Sequence, residues 1–190
     1  MPESLKLTRF GNPILHETAR RLTSEEILSD ATQALIATMR RMLQEKKSGV
    51  GLAAPQVGAA IALSVIGIKP TPNRPSLVPF EAVIINPEVV ETYGRRIQKW
   101  EGCLSSGSGK NTLFGKVPRY ESIKLRWLDE HAVAKEEVLD GFVAHVAQHE
   151  TDHLNGILFT ERVKDLRTLM LADEYIKRIV TPRNKAQKTI

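Results

Sequence analysis

The chain has 190 residues, 42% hydrophobic and 26% charged, with 27 Lys and Arg against 22 Asp and Glu for a formal charge of +5. That is enough chain for one domain with a buried core, and the composition is that of an ordinary soluble globular protein. It excludes a membrane span, because no apolar run approaches ~18 residues, and a single cysteine, Cys103, excludes an internal disulfide.

The first residues, Met1 to Lys6, lack the basic-then-apolar pattern of a secretory signal. With the lone thiol, this points to a reducing cytoplasm. Basic residues gather near the C-terminus, at Lys177, Arg178, Arg183, Lys185 and Lys188. Such a tail is either a solvated end or a contact for RNA or the ribosome. Aromatics are only 5% of the chain and do not interleave with basic residues. No direct, sequence-specific nucleic-acid binding is expected from that pattern.

In chain order, Thr23-Ser24-Glu25-Glu26 reads as a capping box opening a helix to about Lys47. Its apolar stripe is Ile27, Ala31, Leu35, Met39 and Met42. Ala60 to Ile68 is an apolar run bounded by Gly58 and Pro70, as a buried strand would be. Ala82 to Asn86 is a second strand, stopped by Pro87. Glu121 to Leu128 alternates, with Ile123, Leu125 and Trp127 on one face and Lys124 and Arg126 on the other. Ala132 to Val138 is placed to pair with it. A helix follows from about Asp140, and a last helix, Asp165 to Ile179, is expected to carry Leu166, Leu169, Met170 and Ile176 inward. Helix, strands, helix, helix is an α+β order with antiparallel or mixed sheets, not alternating βαβ units. One domain is expected. Residues 1–165 form its catalytic part, and 166–190 form a C-terminal helix and basic tail of the same domain.

The chemistry begins at His149-Glu150-Thr151-Asp152-His153. On a helix, His149 and His153 are four residues apart and share a face, where two imidazoles can grip one metal ion. Glu150, one position round, can take a proton from water held there. The bland alternative is a solvated or hydrogen-bonded pair of histidines. A catalytic zinc-like site needs a third ligand. Candidates are Cys103, His16, His131, His145 or a carboxylate. Cys103 is favoured as the only thiol, with Gly102 beside it allowing close backbone approach. A small buried residue is its alternative role. His145 lies four residues before His149, but three such positions drift by about 40° per step. It is better read as supporting the site or lying at the surface.

Gly49 to Gly58 is a third unusual stretch. Its glycines allow a ligand to lie against the backbone, and Gln56 can donate to a developing oxyanion. A plain structural turn is the alternative. Gly109-Lys110 fails as a phosphate loop, because Leu104 stands where its first glycine must be and Asn111 where Ser or Thr is required.

Together these segments resemble peptide deformylases. That family shows G-x-G-L-A-A-x-Q, E-G-C-L-S and Q-H-E-x-D-H in order, matched here by Gly49 to Gln56, Glu101 to Ser105 and Gln148 to His153. Phe10 to Leu15, Val117-Pro118-Arg119 and Leu154 to Phe159 match the family context too, so the likeness covers roughly Leu5 to Val163. The resemblance implies an α+β fold with sheets wrapped around a central helix carrying H-E-x-x-H. It implies removal of the formyl group from formyl-methionyl nascent peptides. By that resemblance the metal ligands are Cys103, His149 and His153, and Glu150 is the general base and acid. Gln56 and the Leu104 N–H are oxyanion donors. Val50, Gly51 and Leu52 form the peptide-binding edge, with Gly102 beside it. The family metal is usually Fe²⁺, with Zn²⁺, Ni²⁺ or Co²⁺ able to replace it.

One stretch departs from the family pattern. After Ser105 a branched apolar residue and proline are usual, but this chain has Ser106 and Gly107, and Cys103 to Arg119 is about four residues longer than is common. A polar, mobile Ser106–Thr112 segment with weaker or altered peptide recognition is expected. Other readings are a related metallo-amidase on another acylated amine, or a catalytically silent metal-binding paralogue docked on ribosomes. An H-E-x-x-H endoprotease would need Glu161, Asp165 or Glu174 as third ligand.

Overall fold

The computed structural model describes residues 5–46, 49–71 and 75–181. The expected capping box is present: Thr23 Oγ1 accepts from Glu26 N–H, and Glu26 reaches back to the Thr23 N–H. The helix it opens is short, α1 (Ser24–Leu28). Ser29 is extended, ends α1, and caps α2 (Asp30–Glu45) by accepting from Thr32 N–H. That extended residue resets the helical phase. The buried positions are therefore Ile27, Thr32, Ile36, Met39 and Leu43, while Ala31 is exposed and Leu35 and Met42 are half-buried. Lys47, the expected helix end, lies outside the described residues.

One antiparallel sheet follows, in the order β1 (Gly51–Ala53), β2 (Leu63–Ile68), β3 (Phe80–Gly102), β4 (Leu113–Leu128), β5 (Ala134–Asp140), with a short β6 (Met170–Leu171) also paired to β4. Ile123, Leu125 and Trp127 point inward as their alternation requires, and β5 pairs with β4 as expected.

Pro87 does not stop the second strand. The register slips between Ile85 and Glu88, so the missing N–H of Pro87 falls in a bulge where the ladder needs no donor. Asn86, at φ 53°, turns its side chain into the core of that bulge. Its Oδ1 accepts from Leu22 N–H at 2.9 Å and its Nδ2 donates to Leu22 O at 2.7 Å. The strand then continues to Gly102 and delivers the chain to Cys103.

The helix α3 (Gly141–Leu154) carries His149, Glu150 and His153 and packs against β1 through β5. The expected Asp165–Ile179 helix is not formed. After a single turn α4 (Phe159–Arg162), Leu166–Thr168 is a 3₁₀ turn, β6 follows, then a single turn α5 (Ala172–Tyr175) and a π-helical turn, Ile176–Val180. Leu166 and Ile176 are exposed at 68% and 54% instead of facing inward, and Leu169 and Met170 are half-buried. The open edge of β4 at Leu113 and Phe114 takes the backbone of Leu171 and Met170 as partners. That pairing overrides the helical pattern. No helix among the described residues is long and apolar enough to cross a membrane.

Candidate metal centre and active site

Two elements converge on the site. The end of β3 brings Cys103, and α3 brings His149 and His153 on one face. One donor atom from each of the three lies within 4.8 Å of the others. Cys103 Sγ is 3.2 Å from His153 Nε2, and the two imidazole rings stand edge-on with centroids 4.9 Å apart. All three residues are buried or nearly so. A thiol and two imidazoles suit a borderline divalent ion such as Fe²⁺, Zn²⁺, Ni²⁺ or Co²⁺ and not Mg²⁺ or Ca²⁺. Three protein donors leave room for a fourth, exchangeable position.

Glu101 holds this cluster together. It shares the inward face of β3 with Cys103, two residues on. Its Oε2 lies 2.8 Å from His149 Nδ1, which leaves the other ring nitrogen for a metal. Its Oε1 accepts from Arg119 Nε at 2.8 Å and also lies 2.8 Å from His145 Nε2, though off the line of a hydrogen bond. Arg119 bonds Asp152 on α3 as well, and Arg162 closes the chain with a fork onto Asp152. Burial opposes ionisation of Glu101, but His145, His149 and Arg119 outweigh it and hold the carboxyl well below the usual range. Burial alone would lower His149; Cys103 and Glu101 instead hold it well above the ordinary imidazole value. His153, buried without a carboxylate partner, is pushed well below it.

Glu150 is set differently. Burial, with the nearby charge of Glu101, raises its carboxyl from 4.5 to about 7, against the pull of His149. Its Oε2 is buried with no hydrogen-bond partner among the described residues. Gly51 makes the space, since a Cβ there would collide with the Glu150 carboxylate. Gln56 is fixed by accepting from Ala53 N–H at 2.8 Å. Its Nε2 donates to Cys103 Sγ at 3.3 Å and Ser105 Oγ at 3.2 Å. Leu104 opens a 3₁₀ turn, Leu104–Ser106, so its N–H is one that no helical carbonyl claims. A cavity of about 130 Å³ lies over these groups, lined by Val50, Gly51, Gln56, Gly102, Leu104 and Glu150 among others. A larger cavity of about 290 Å³ lies elsewhere on α3, around Arg96, Arg119 and Lys164, and holds none of the three donors.

The whole-chain comparisons agree with one another. The polypeptide deformylase family model matches residues 4–168. The chain belongs to the peptide deformylase family. Peptide deformylase 2 of Nostoc sp. is 34% identical over 97% of this chain and 99% of its own length. The class I type b peptide deformylase of Acinetobacter baumannii, solved with Met-Ala-Ser bound, superposes with a TM-score of 0.78. It is 34% identical, over 86% of this chain and all of that one. A Synechococcus elongatus deformylase in complex with actinonin gives 0.74 at 32% identity, over 94% of this chain and 87% of that one. The family is one of metal-dependent hydrolases, and the Cys103, His149 and His153 cluster is a fitting place for its divalent ion.

Against this deformylase site, the other candidate ligands fall away. His16 is at the surface beside Glu161, and His131 is exposed. Glu161 caps Leu158, Asp165 caps the Leu166–Thr168 turn and pairs with Arg167, and Glu174 pairs with Arg178. His145 is buried against Glu101 and not at the surface. Leu52 is not at the cavity: its side chain is fully buried among Leu43, Val65 and Val83, because alternation along β1 turns it away from Gly51. The segment after Ser105 forms two 3₁₀ turns held by Ser106 Oγ, which donates to Cys103 O at 2.8 Å and accepts from Leu113 N–H at 3.2 Å. Arg9 reaches across to Leu104 O and Gly107 O. The sequence reading missed Glu101, Arg119 and Asp152 as a connected network. The signal available was the i, i+2 alternation that puts Glu101 on the face of Cys103.

Proposed function

We propose that Glu150, Gln56 and the Leu104 N–H carry out the chain's reaction, hydrolysis of the N-formyl group from the formyl-methionine of new polypeptides with release of formate. The observation that carries this is the buried Cys103, His149 and His153 triad with Glu150 beside it, poised near neutral pH, in one cavity. A divalent ion held by the triad, Fe²⁺ natively, would polarise the formyl carbonyl and make water acidic enough to ionise near pH 7. Glu150 accepts the proton of the attacking water and returns it to the leaving amine, for which a carboxyl near 7 is matched. Gln56 and the Leu104 N–H stabilise the charge that develops on the formyl oxygen. Both amide hydrogens of Gln56 now meet Cys103 and Ser105, so one is surrendered when it acts. The edge of β1 opposite β2, at Val50 and Gly51, receives the peptide backbone, with Leu52 contributing main chain only. Gly102 forms the opposing wall.

We read α3 as the central helix of the fold and the chain as one domain in the cytoplasm, its C-terminal part tied in by β6. Lys177 and Arg178 form the described part of a basic end for ribosome contact; Arg183, Lys185 and Lys188 lie outside the described residues. The Ser106–Thr112 segment alters peptide recognition, and replacing it with a shorter apolar-proline loop should change KM.

The deciding assay is anaerobic formate release by the Fe²⁺- or Ni²⁺-loaded chain on a formyl-methionyl peptide, with Glu150→Ala as control. Release that vanishes in the variant is expected. A chain that binds metal stoichiometrically yet releases no formate would overturn the reading.

A further inference from the structure

We infer that Tyr175, in the C-terminal segment, is a positioning residue for peptide binding: its ring clamps Phe114, which walls the cavity over Cys103. The inference rests on that cavity being the peptide site.

Phe114 and Trp100 both line the cavity, together with Gly102. Tyr175 lies against both rings. Its centroid is 4.3 Å from Phe114 with the planes 3° apart, and 5.4 Å from Trp100 at 59°. The Phe114 ring also rests on the bare Cα of Gly102, since a Cβ built there would come within 2.7 Å of Phe114 Cε1. Phe114 is thus held between the residue preceding Cys103 and an aromatic ring from the far end of the chain. The backbone repeats the arrangement. Phe114 pairs with Gly102 of β3 on one side and with Met170 of β6 on the other. α5 packs on the Gly109–Asn111 turn, so the same C-terminal segment braces the polar Ser106–Thr112 stretch.

The contacts of Tyr175 are made by its ring, and no partner of its hydroxyl is found among the described residues. The ring, not the hydroxyl, is therefore the working part, and Phe should replace it. A stacked aromatic pair shifts an equilibrium by a few-fold to about tenfold beyond its buried area. Tyr175 does not touch the triad, Glu150 or Gln56, so its loss should loosen the wall that grips the peptide and leave the reacting groups in place.

The test is steady-state formate release from formyl-Met-Ala-Ser by the full metal-loaded chain, with metal content and Tm measured on each variant. Tyr175→Ala should raise KM by roughly tenfold and keep kcat within about twofold. Tyr175→Phe should match the wild type in both. An unchanged KM in Tyr175→Ala overturns the inference, as does a Tyr175→Phe variant as impaired as Tyr175→Ala. A fall in kcat together with lost metal would show a role in holding the fold and also overturn it. An inactive wild-type chain would instead overturn the deformylase reading, which the wild-type assay reveals before any variant is compared.

Discussion

Glu150 shows how a single residue trades stability for chemistry. In the metal-free protein its carboxyl sits at about 7 instead of 4.5, because it is buried. Below pH 4.5 both folded and unfolded chains hold the proton and no cost arises. As pH rises through 7 the unfolded chain has released it while the folded chain resists, so folding is weakened by up to about 3 kcal/mol. Glu150→Gln keeps the shape and removes the ionisation. It should abolish formate release yet raise the Tm of the metal-free protein, by an amount that grows between pH 5 and pH 8. Equal Tm gains at both pH values would contradict the buried-carboxylate account. Gln56 makes the complementary case, a donor whose removal spares binding. Gln56→Ala should lower kcat by ~10²–10³ with little change in KM, a loss typical of one oxyanion donor; steady-state kinetics on a formyl-methionyl peptide would check it.

At the scale of elements, the informative part of the site is the join between β3, β4 and α3. Arg119 on β4 bonds Glu101 on β3 and Asp152 on α3, and all three are buried. Arg119→Met would leave those carboxylates without their shared cation, at a cost of about 3–5 kcal/mol by urea denaturation. It should also free Glu101 from its orientation beside His149 and weaken metal binding ~10–100-fold in a competition titration. Lost stability with unchanged metal affinity would show that Glu101 needs no such support. This network was the least legible feature of the sequence, since its partners are 18, 33 and 48 residues apart. What periodicity exposes is local. The i, i+4 spacing of His149 and His153 and the alternation of Ile123, Leu125 and Trp127 were readable directly. Pro87 was misleading because a bulge absorbs a missing N–H, and the region from Asp165 to Ile179 because an open strand edge outcompetes a weak helical pattern. Glu101 lay on the part of β3 beyond Pro87, where the sequence reading had ended the strand, so neither its face nor its partners were read.

The molecule as a whole is joined at its site. Cys103 comes from the end of the longest strand of the sheet, and His149 and His153 from the helix packed on that sheet. An ion bound by all three cross-links sheet to helix, and it binds the folded chain alone because the unfolded chain does not bring the three together. At about a thousand times its Kd, such an ion adds ~4 kcal/mol to stability. For a chain of this length that is on the order of 10 °C in Tm. Removing the ion with a chelator should therefore lower Tm by about that much, and restoring Ni²⁺ or Zn²⁺ should recover it. Cys103→Ser, which removes the sheet's only ligand, should unfold at one temperature with or without chelator. A chelated wild type that loses activity while keeping its Tm would mean that Glu101, Arg119 and Asp152 already hold β3 against α3. The bonds that Glu101 and Asp152 make across that join are ionic, and acid weakens them by protonating the carboxylates. The contribution of the ion should then grow as pH rises, because His149, held well above the ordinary imidazole value in the metal-free protein, must give up a proton to ligate, while Glu101 remains charged to orient it.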